Sequence, residues 1–192
     1  MQNTLLILDN YDSFTYNLVQ LVEQCGISNY SVEKNDKICV EEVDAFESIL
    51  LSPGPGIPSE AGIMCDLIKT YAASKKIMGI CLGHQAIAEC FGAKLQQMDS
   101  IMHGIGRKTI ITPVRDKIFN GIDNCFVTGR YHSWIVSNKD FPHNTLDITA
   151  FDSDFNIMAL KHKQFNVRGV QFHPESYISS YGSKIMKNWL EL

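Results

Sequence analysis

The stretch Gly79-Ile80-Cys81-Leu82-Gly83-His84-Gln85 sets one cysteine between two glycines where a short apolar run gives way to a helical pattern. In a Gly-x-Ser-x-Gly elbow the glycines permit a strained strand-to-helix turn, exposing the central side chain and freeing the next backbone N–H for an oxyanion. A cysteine there is a candidate nucleophile with the Leu82 N–H as donor; taken alone, the residues also fit a buried structural cysteine beside a glycine turn. Further along, Gly169-Val170-Gln171-Phe172-His173-Pro174-Glu175-Ser176 reads as a strand over 169–172, leading to a histidine and a carboxylate two positions apart. Period-two alternation sends His173 and Glu175 to the same side, although Pro174 ends the regular strand and can rotate Glu175. Cysteine, histidine and carboxylate are the parts of an acyl-transfer site: the sulfur attacks, the imidazole takes and returns a proton, and the carboxylate fixes the ring's tautomer.

Ser52-Pro53-Gly54-Pro55-Gly56-Ile57-Pro58 lacks the glycine spacings of a phosphate-binding loop. It fits a rigid turn, and its functional reading is a second oxyanion donor, because stabilising a tetrahedral oxyanion takes two N–H groups and Leu82 supplies one. His132, in Arg130-Tyr131-His132-Ser133, is a rival base but has no carboxylate two positions away; it reads, with His84 and His103, as pocket shaping. His143 and His162 read as ordinary surface or satisfied histidines. The scattered histidines and cysteines lack zinc-ligand spacing, so no metal site is expected in this chain.

The elements that position these residues alternate. Leu5-Leu6-Ile7-Leu8 reads as a buried strand. It is followed by a helix with Phe14, Leu18, Leu21 and Val22 on one face, Asp12 or Ser13 as N-cap, and Gly26 as stop. Strands near 31–33 and 48–51 come next, then a helix with Ile63, Leu67, Ile68 and Tyr71 along one side. A strand over 76–80 runs into the Cys81 elbow and a helix carrying Ala86, Ile87, Cys90 and Phe91, stopped by Gly92. From Lys94 onward the pattern is strand-rich, near 107–112, 125–128, 133–136, 147–150, 157–160 and 169–172, and a closing helix has Ile178, Tyr181, Ile185 and Trp189 in one stripe. This predicts an α/β fold: an open, mostly parallel sheet flanked by helices, with antiparallel additions. Asp9, Ser52, Cys81 and His173 all follow predicted strands, where open α/β sheets build their sites.

With 192 residues, 45% hydrophobic and 20% charged, the chain suits one domain over residues 1–192. A net charge of −4 and no basic run longer than a pair argue against nucleic-acid binding. The four-residue apolar run near the N-terminus is too short for a signal peptide or a membrane span, so a cytoplasmic protein is expected. Six cysteines without a Cys-x-x-Cys pair are read as reduced thiols, with Cys25, Cys65 and Cys90 as small core residues.

The chain resembles the class I (triad) glutamine amidotransferases, and within them most closely the glutaminase subunits of anthranilate synthase and aminodeoxychorismate synthase. The resemblance runs through the 9–17 stretch, Ser52 to Gly56, Gly79 to Gln85, His103-Gly104, Arg130 to Ser133 and Gly169 to Ser176. It implies Cys81 as nucleophile, His173 as base and Glu175 as orienting carboxylate. It also implies that Gly54, Pro55 and Gly56 line the glutamine and oxyanion pocket with Leu82, and that Gln85 contacts L-glutamine. Ser133 and Trp134 would hold the amino-acid end through backbone groups; Trp134 stands where leucine is usual. The family releases ammonia from a γ-glutamyl thioester and hands it on under cover from water. That implies as partner a chorismate-binding synthase subunit, with Mg²⁺ bound in that partner and no cofactor in this chain. The 9–17 stretch, with no synthetase domain after Leu192, favours the chorismate-using pair, anthranilate first and aminodeoxychorismate as the alternative. A cysteine peptidase or free-standing glutaminase on the same elbow, and a regulatory subunit without chemistry, are the rival readings.

Overall fold

The computed structural model of the protein describes residues 4–192. Four strands form where apolar and β-branched residues cluster: β1 (Leu5–Asp9), β2 (Tyr30–Lys34), β3 (Ser48–Leu51) and β4 (Lys76–Ile80). Between or after them lie α1 (Thr15–Gln24), α2 (Met64–Tyr71) and α3 (Leu82–Cys90). The second half contributes β5 (Leu95–Gln97), β6 (Ile105–Ile111), β7 (Cys125–Arg130), β8 (Trp134–Val136), β9 (Leu146–Asp152), β10 (Ile157–His162), β11 (Val167–Val170) and α4 (Gly182–Leu190).

Among the described residues, nine strands make one sheet in the order β2-β1-β3-β4-β11-β10-β9-β6-β7. The ladders from β2 to β11 are parallel, and those from β11 through β10, β9 and β6 to β7 are antiparallel. Alternation along β1 divides the core. Leu6 and Leu8 join Ile49, Leu51 and Ile77 under α2 and α3, while Leu5 and Ile7 join Leu50, Met78 and Ile80 under α1 and α4. Trp189, fully buried, anchors α4 on the second face.

Four details depart from the sequence reading. The strand near 133–136 leaves the main sheet and pairs as β8 with β5, a short strand that its polar Gln96 and Gln97 concealed. β11 starts earlier and ends at Val170, so His173 lies beyond the ladder. α4 begins at Gly182 and not near Ile178, because Gly182 packs on the Pro174 carbonyl, which a β-carbon would meet at 1.8 Å, and the chain turns twice before it. α1 has Phe14 at its N-cap; Asp12 acts one step earlier, its carboxylate accepting the Phe14 N–H at 2.7 Å.

Candidate active site

Cys81 joins β4 to α3 with φ 50° and ψ −97°, a positive φ that a non-glycine residue adopts only where its surroundings impose it. The surroundings are tight. A β-carbon on Gly79 would lie 2.3 Å from the Gly83 carbonyl carbon, and one on Gly83 would lie 2.7 Å from Leu51 Cβ, so the two glycines let α3 start hard against β3 and β4. The Cys81 N–H donates to the Val170 carbonyl at 2.9 Å, which ties the elbow to the last residue of β11. As the first residue of α3, Leu82 presents an N–H that has no intrahelical acceptor.

Past β11 the chain bends and returns to the sheet. The His173 N–H donates to the Gly129 carbonyl at 3.1 Å, and the Ser176 N–H donates to the His173 carbonyl at 3.2 Å. This closes a β-turn with Pro174 at the position whose φ proline pre-sets. Turn geometry, not strand alternation, therefore brings His173 Nδ1 and Glu175 Oε1 to 2.7 Å, with both side chains buried. Ser179 clamps the turn by donating to the His173 carbonyl at 2.6 Å and accepting the Gly129 N–H at 3.0 Å.

The buried His173 Nε2 has no hydrogen-bond partner in the structure, although the Cys81 thiol is near enough to influence the ring's proton affinity; such contacts often tighten only with substrate bound. Burial alone would push its pKa down. The nearby Cys81 thiol, the hydrogen bond to Glu175 and the charge of that carboxylate override that and raise it to about 10, which favours an imidazolium beside the carboxylate. His132 is the opposite case. Burial, then the charges of Arg130 and His173, hold its pKa down at about 3, against a smaller opposing contribution from the Trp134 backbone. His84, buried in α3, is likewise held at about 3 by burial. Neither has the carboxylate that would prepare it as a base.

A cavity of about 160 Å³ opens beside the thiol, lined by Gly54, Pro55, Gly56, Cys81, Gln85, Tyr131, His132, Ser133 and Trp134. Of the residues the sequence reading placed in or around the pocket, Gly54, Pro55, Gly56, Gln85, His132, Ser133 and Trp134 are on this lining, whereas Leu82, His84 and His103 are not. Gly54 is wedged: a β-carbon there would stand 2.7 Å from both Asn10 Cβ and Leu82 Cδ2. Asn10 holds the segment by donating from its side chain to the Ser52 carbonyl at 2.9 Å, and its backbone N–H donates to Ser52 Oγ at 2.9 Å. The Asp9-to-Thr15 stretch thus acts as a brace, with Asp9 accepting from the Tyr11 N–H and the Thr15 hydroxyl. The Ser133 carbonyl already accepts the Met98 N–H, and the Trp134 carbonyl accepts Gln85 Nε2 at 2.9 Å.

The site contains residues that the sequence reading passed over. Fully buried Gln171 places Nε2 3.5 Å from Cys81 Sγ, while its Oε1 accepts Gln85 Nε2 at 3.2 Å. A chain of contacts thereby runs from the Trp134 carbonyl on the pocket wall through Gln85 and Gln171 to the sulfur. Tyr131 and Phe14 set their rings against His173, with centroids 4.9 and 5.6 Å away. Gln171 lies inside the 169–176 motif, two residues from His173, and its polarity amid buried apolar residues was the available signal. A larger cavity of about 420 Å³, lined by Arg115, Lys117, Lys161, Lys163 and Arg168 among others, lies toward the start of β11 and holds no thiol.

A thiol on a strained elbow, an imidazole paired to a buried carboxylate and a small polar cavity, all at the carboxyl ends of parallel strands, form an arrangement able to perform cysteine-dependent acyl transfer. The chain matches the family model described as glutamine amidotransferase class-I over residues 6–192; it belongs to that family and is an enzyme, a glutamine amidotransferase. It is 40% identical to aminodeoxychorismate synthase component 2 of Escherichia coli, over 97% of this chain and 98% of that one. It is also 40% identical to aminodeoxychorismate/anthranilate synthase component 2 of Bacillus subtilis, over 97% and 95%. Identity to anthranilate synthase component 2 of Pyropia yezoensis is 42%, over 97% and 98%. In fold it is similar to a Thermoplasma acidophilum protein described as part of a GMP synthase, with a TM-score of 0.87, 23% identity, and coverage of 100% of this chain and 94% of that one.

Among the described residues, no group of three or more His, Cys, Asp or Glu side chains is placed to hold a metal ion, and no helix is long and apolar enough to cross a membrane.

Proposed function

We propose that this chain is the glutaminase subunit of a chorismate-using synthase in the cytoplasm, releasing ammonia from L-glutamine for a partner subunit. The observation that carries the reading is the strained Cys81 elbow, whose thiol lines the cavity, together with the buried His173–Glu175 pair whose imidazole the thiol influences. Cys81 attacks the side-chain amide carbon as thiolate. The Leu82 N–H and an N–H of the Gly54 segment hold the oxyanion, and His173, already carrying a proton, delivers it to the departing ammonia. Glu175 keeps that imidazole oriented. Neutral His173 then draws a proton from water, which cleaves the γ-glutamyl thioester and regenerates the thiolate. Pro55, Gly56, Gln85, Ser133 and Trp134 enclose the amino acid; with the Ser133 and Trp134 carbonyls already in use, their N–H and side-chain groups are better placed than those carbonyls to meet its charged end.

The partner binds chorismate and Mg²⁺ and receives the ammonia out of contact with water, where protonation would make it non-nucleophilic. Its product is anthranilate, for tryptophan synthesis, with aminodeoxychorismate, for folate synthesis, as the second reading. The names of the relatives support both, and the Bacillus subtilis protein is named for the two together. Deleting the gene and supplementing the growth medium tests the assignment. Rescue by tryptophan is expected; rescue by p-aminobenzoate alone would overturn the anthranilate reading, and a need for both would mean that one subunit serves two synthases.

A further inference from the structure

The contact between α2 and α3 holds two thiols that glutamine hydrolysis does not use. Cys65 lies in the first turn of α2 and Cys90 ends α3. Both are free, half-buried and packed against the same core cluster. Cys90 Sγ donates to the Cys65 carbonyl at 3.7 Å, which sets the two cysteines side by side where α2 and α3 meet. Cys65 Sγ in turn donates to the Pro58 carbonyl at 3.6 Å, at the far end of the glycine-proline segment that borders the cavity. Small core residues, as the sequence reading has them, need no such mutual contact, and no metal-holding group of side chains among the described residues accounts for it.

We propose that Cys65 and Cys90 are a redox-modification site, converted reversibly by a peroxide into an intrachain disulfide that ties α2 to α3 behind the 52–58 segment. The two thiols divide the labour the reaction needs. The neighbouring Cys90 thiol lowers the pKa of Cys65, which favours its nucleophilic thiolate, while the same contact pushes Cys90 up. The Cys65 sulfur attacks one peroxide oxygen, the O–O bond breaks, and the leaving hydroxide is protonated to water, leaving a sulfenic acid. With the Cys65 negative charge gone, Cys90 releases its proton more readily. Its sulfur attacks the sulfenic sulfur, the S–S bond forms, the S–O bond breaks and a second water leaves. The two thiols lose two electrons, and the peroxide is reduced to two waters. Closure must bring the two sulfurs to a bond of about 2.05 Å, and the helices that carry them are already packed together, with Cys90 Sγ 3.7 Å from the Cys65 carbonyl.

The test is independent of the proposed function, because its readout is mass and not activity. The full chain carrying Cys81→Ser, which removes the competing elbow thiol, is exposed to hydrogen peroxide while folded, then alkylated, digested and analysed by mass spectrometry. The expected result is loss of two hydrogens, a single dominant cross-link joining the Cys65 and Cys90 peptides, and full reversal by dithiothreitol. Adding either Cys90→Ala or Cys65→Ala should abolish the cross-link. Oxygen added to either cysteine without a cross-link would overturn the proposal. So would cross-links spread over the exposed Cys39 and Cys125, or a cross-link that persists with Cys90→Ala.

Discussion

At the scale of single residues, Cys81, His173 and Glu175 have unequal weights that follow from their contacts. His173→Ala removes the proton carrier, and glutamine-dependent turnover should fall by about 10⁴-fold or more; Glu175→Gln keeps a hydrogen-bonding group but loses the charge, and should cost less. If His132→Ala is inactive while His173→Ala turns over near normally, the assignment of the base is wrong. Gln171 offers a sharper test. Gln171→Leu removes a donor to the sulfur and an acceptor for Gln85, so kcat for glutamine should drop roughly 10-fold or more, on the scale of one lost hydrogen bond to a charged atom. Gln171→Glu should be worse still, since it sets a carboxylate near the sulfur. Turnover by either variant equal to that of the unaltered chain would mean that Gln171 has no part in the chemistry.

At the scale of elements, the chemistry depends on how closely α3 seats on the sheet. Gly83→Ala puts a methyl group 2.7 Å from Leu51 Cβ and 2.8 Å from its carbonyl oxygen, with backbone on both sides and no flexible side chain to yield. We expect a stability loss of about 1–3 kcal/mol in chemical denaturation and a larger proportional loss of activity, because the start of α3 carries the Leu82 N–H. An active, fully stable variant would contradict this packing argument. The parallel half of the fold was legible for the same reason that it is rigid. Strands such as β3 and β4 are apolar on both faces and end in glycine-marked turns, and their bounds match the sequence reading. The antiparallel half was less legible because its register depends on partners distant in sequence: β5 has one half-buried leucine followed by two glutamines, and only β8 makes it a strand. The His173–Glu175 pairing was legible as a pair but ascribed to strand alternation, since a proline ahead of a helix-like stripe does not reveal that the chain folds back onto β7. Gln171 was hidden by its own motif, where the histidine and glutamate drew the chemical reading.

At the scale of the whole molecule, three of the four buried histidines, with the largest shifts, shape the pH range of stability. His84 and His132 stay neutral in the fold with pKa values of about 3, so the unfolded chain binds more protons below about pH 6.5, and stability should fall as pH drops from there toward 3. His173 has the opposite sign. Its raised pKa stabilises the fold fully below about pH 6.5, and that contribution is lost as pH climbs from there through about 10. Thermal unfolding should therefore show greatest stability near pH 6.5, with each histidine contributing up to about 1.4 kcal/mol per pH unit on its limb. His173→Asn should flatten the alkaline limb; an unchanged limb would mean that the imidazolium is not held beside Glu175. The central claim is that this chain makes ammonia from glutamine and that another chain uses it. The most direct measurement is product formation by the assembled complex carrying Cys81→Ala, supplied either with glutamine or with an ammonium salt. We expect a loss of glutamine-driven synthesis greater than about 1,000-fold, with ammonium-driven synthesis within about twofold of normal; glutamine-driven synthesis that survives, or loss of both in an intact complex, would contradict the claim.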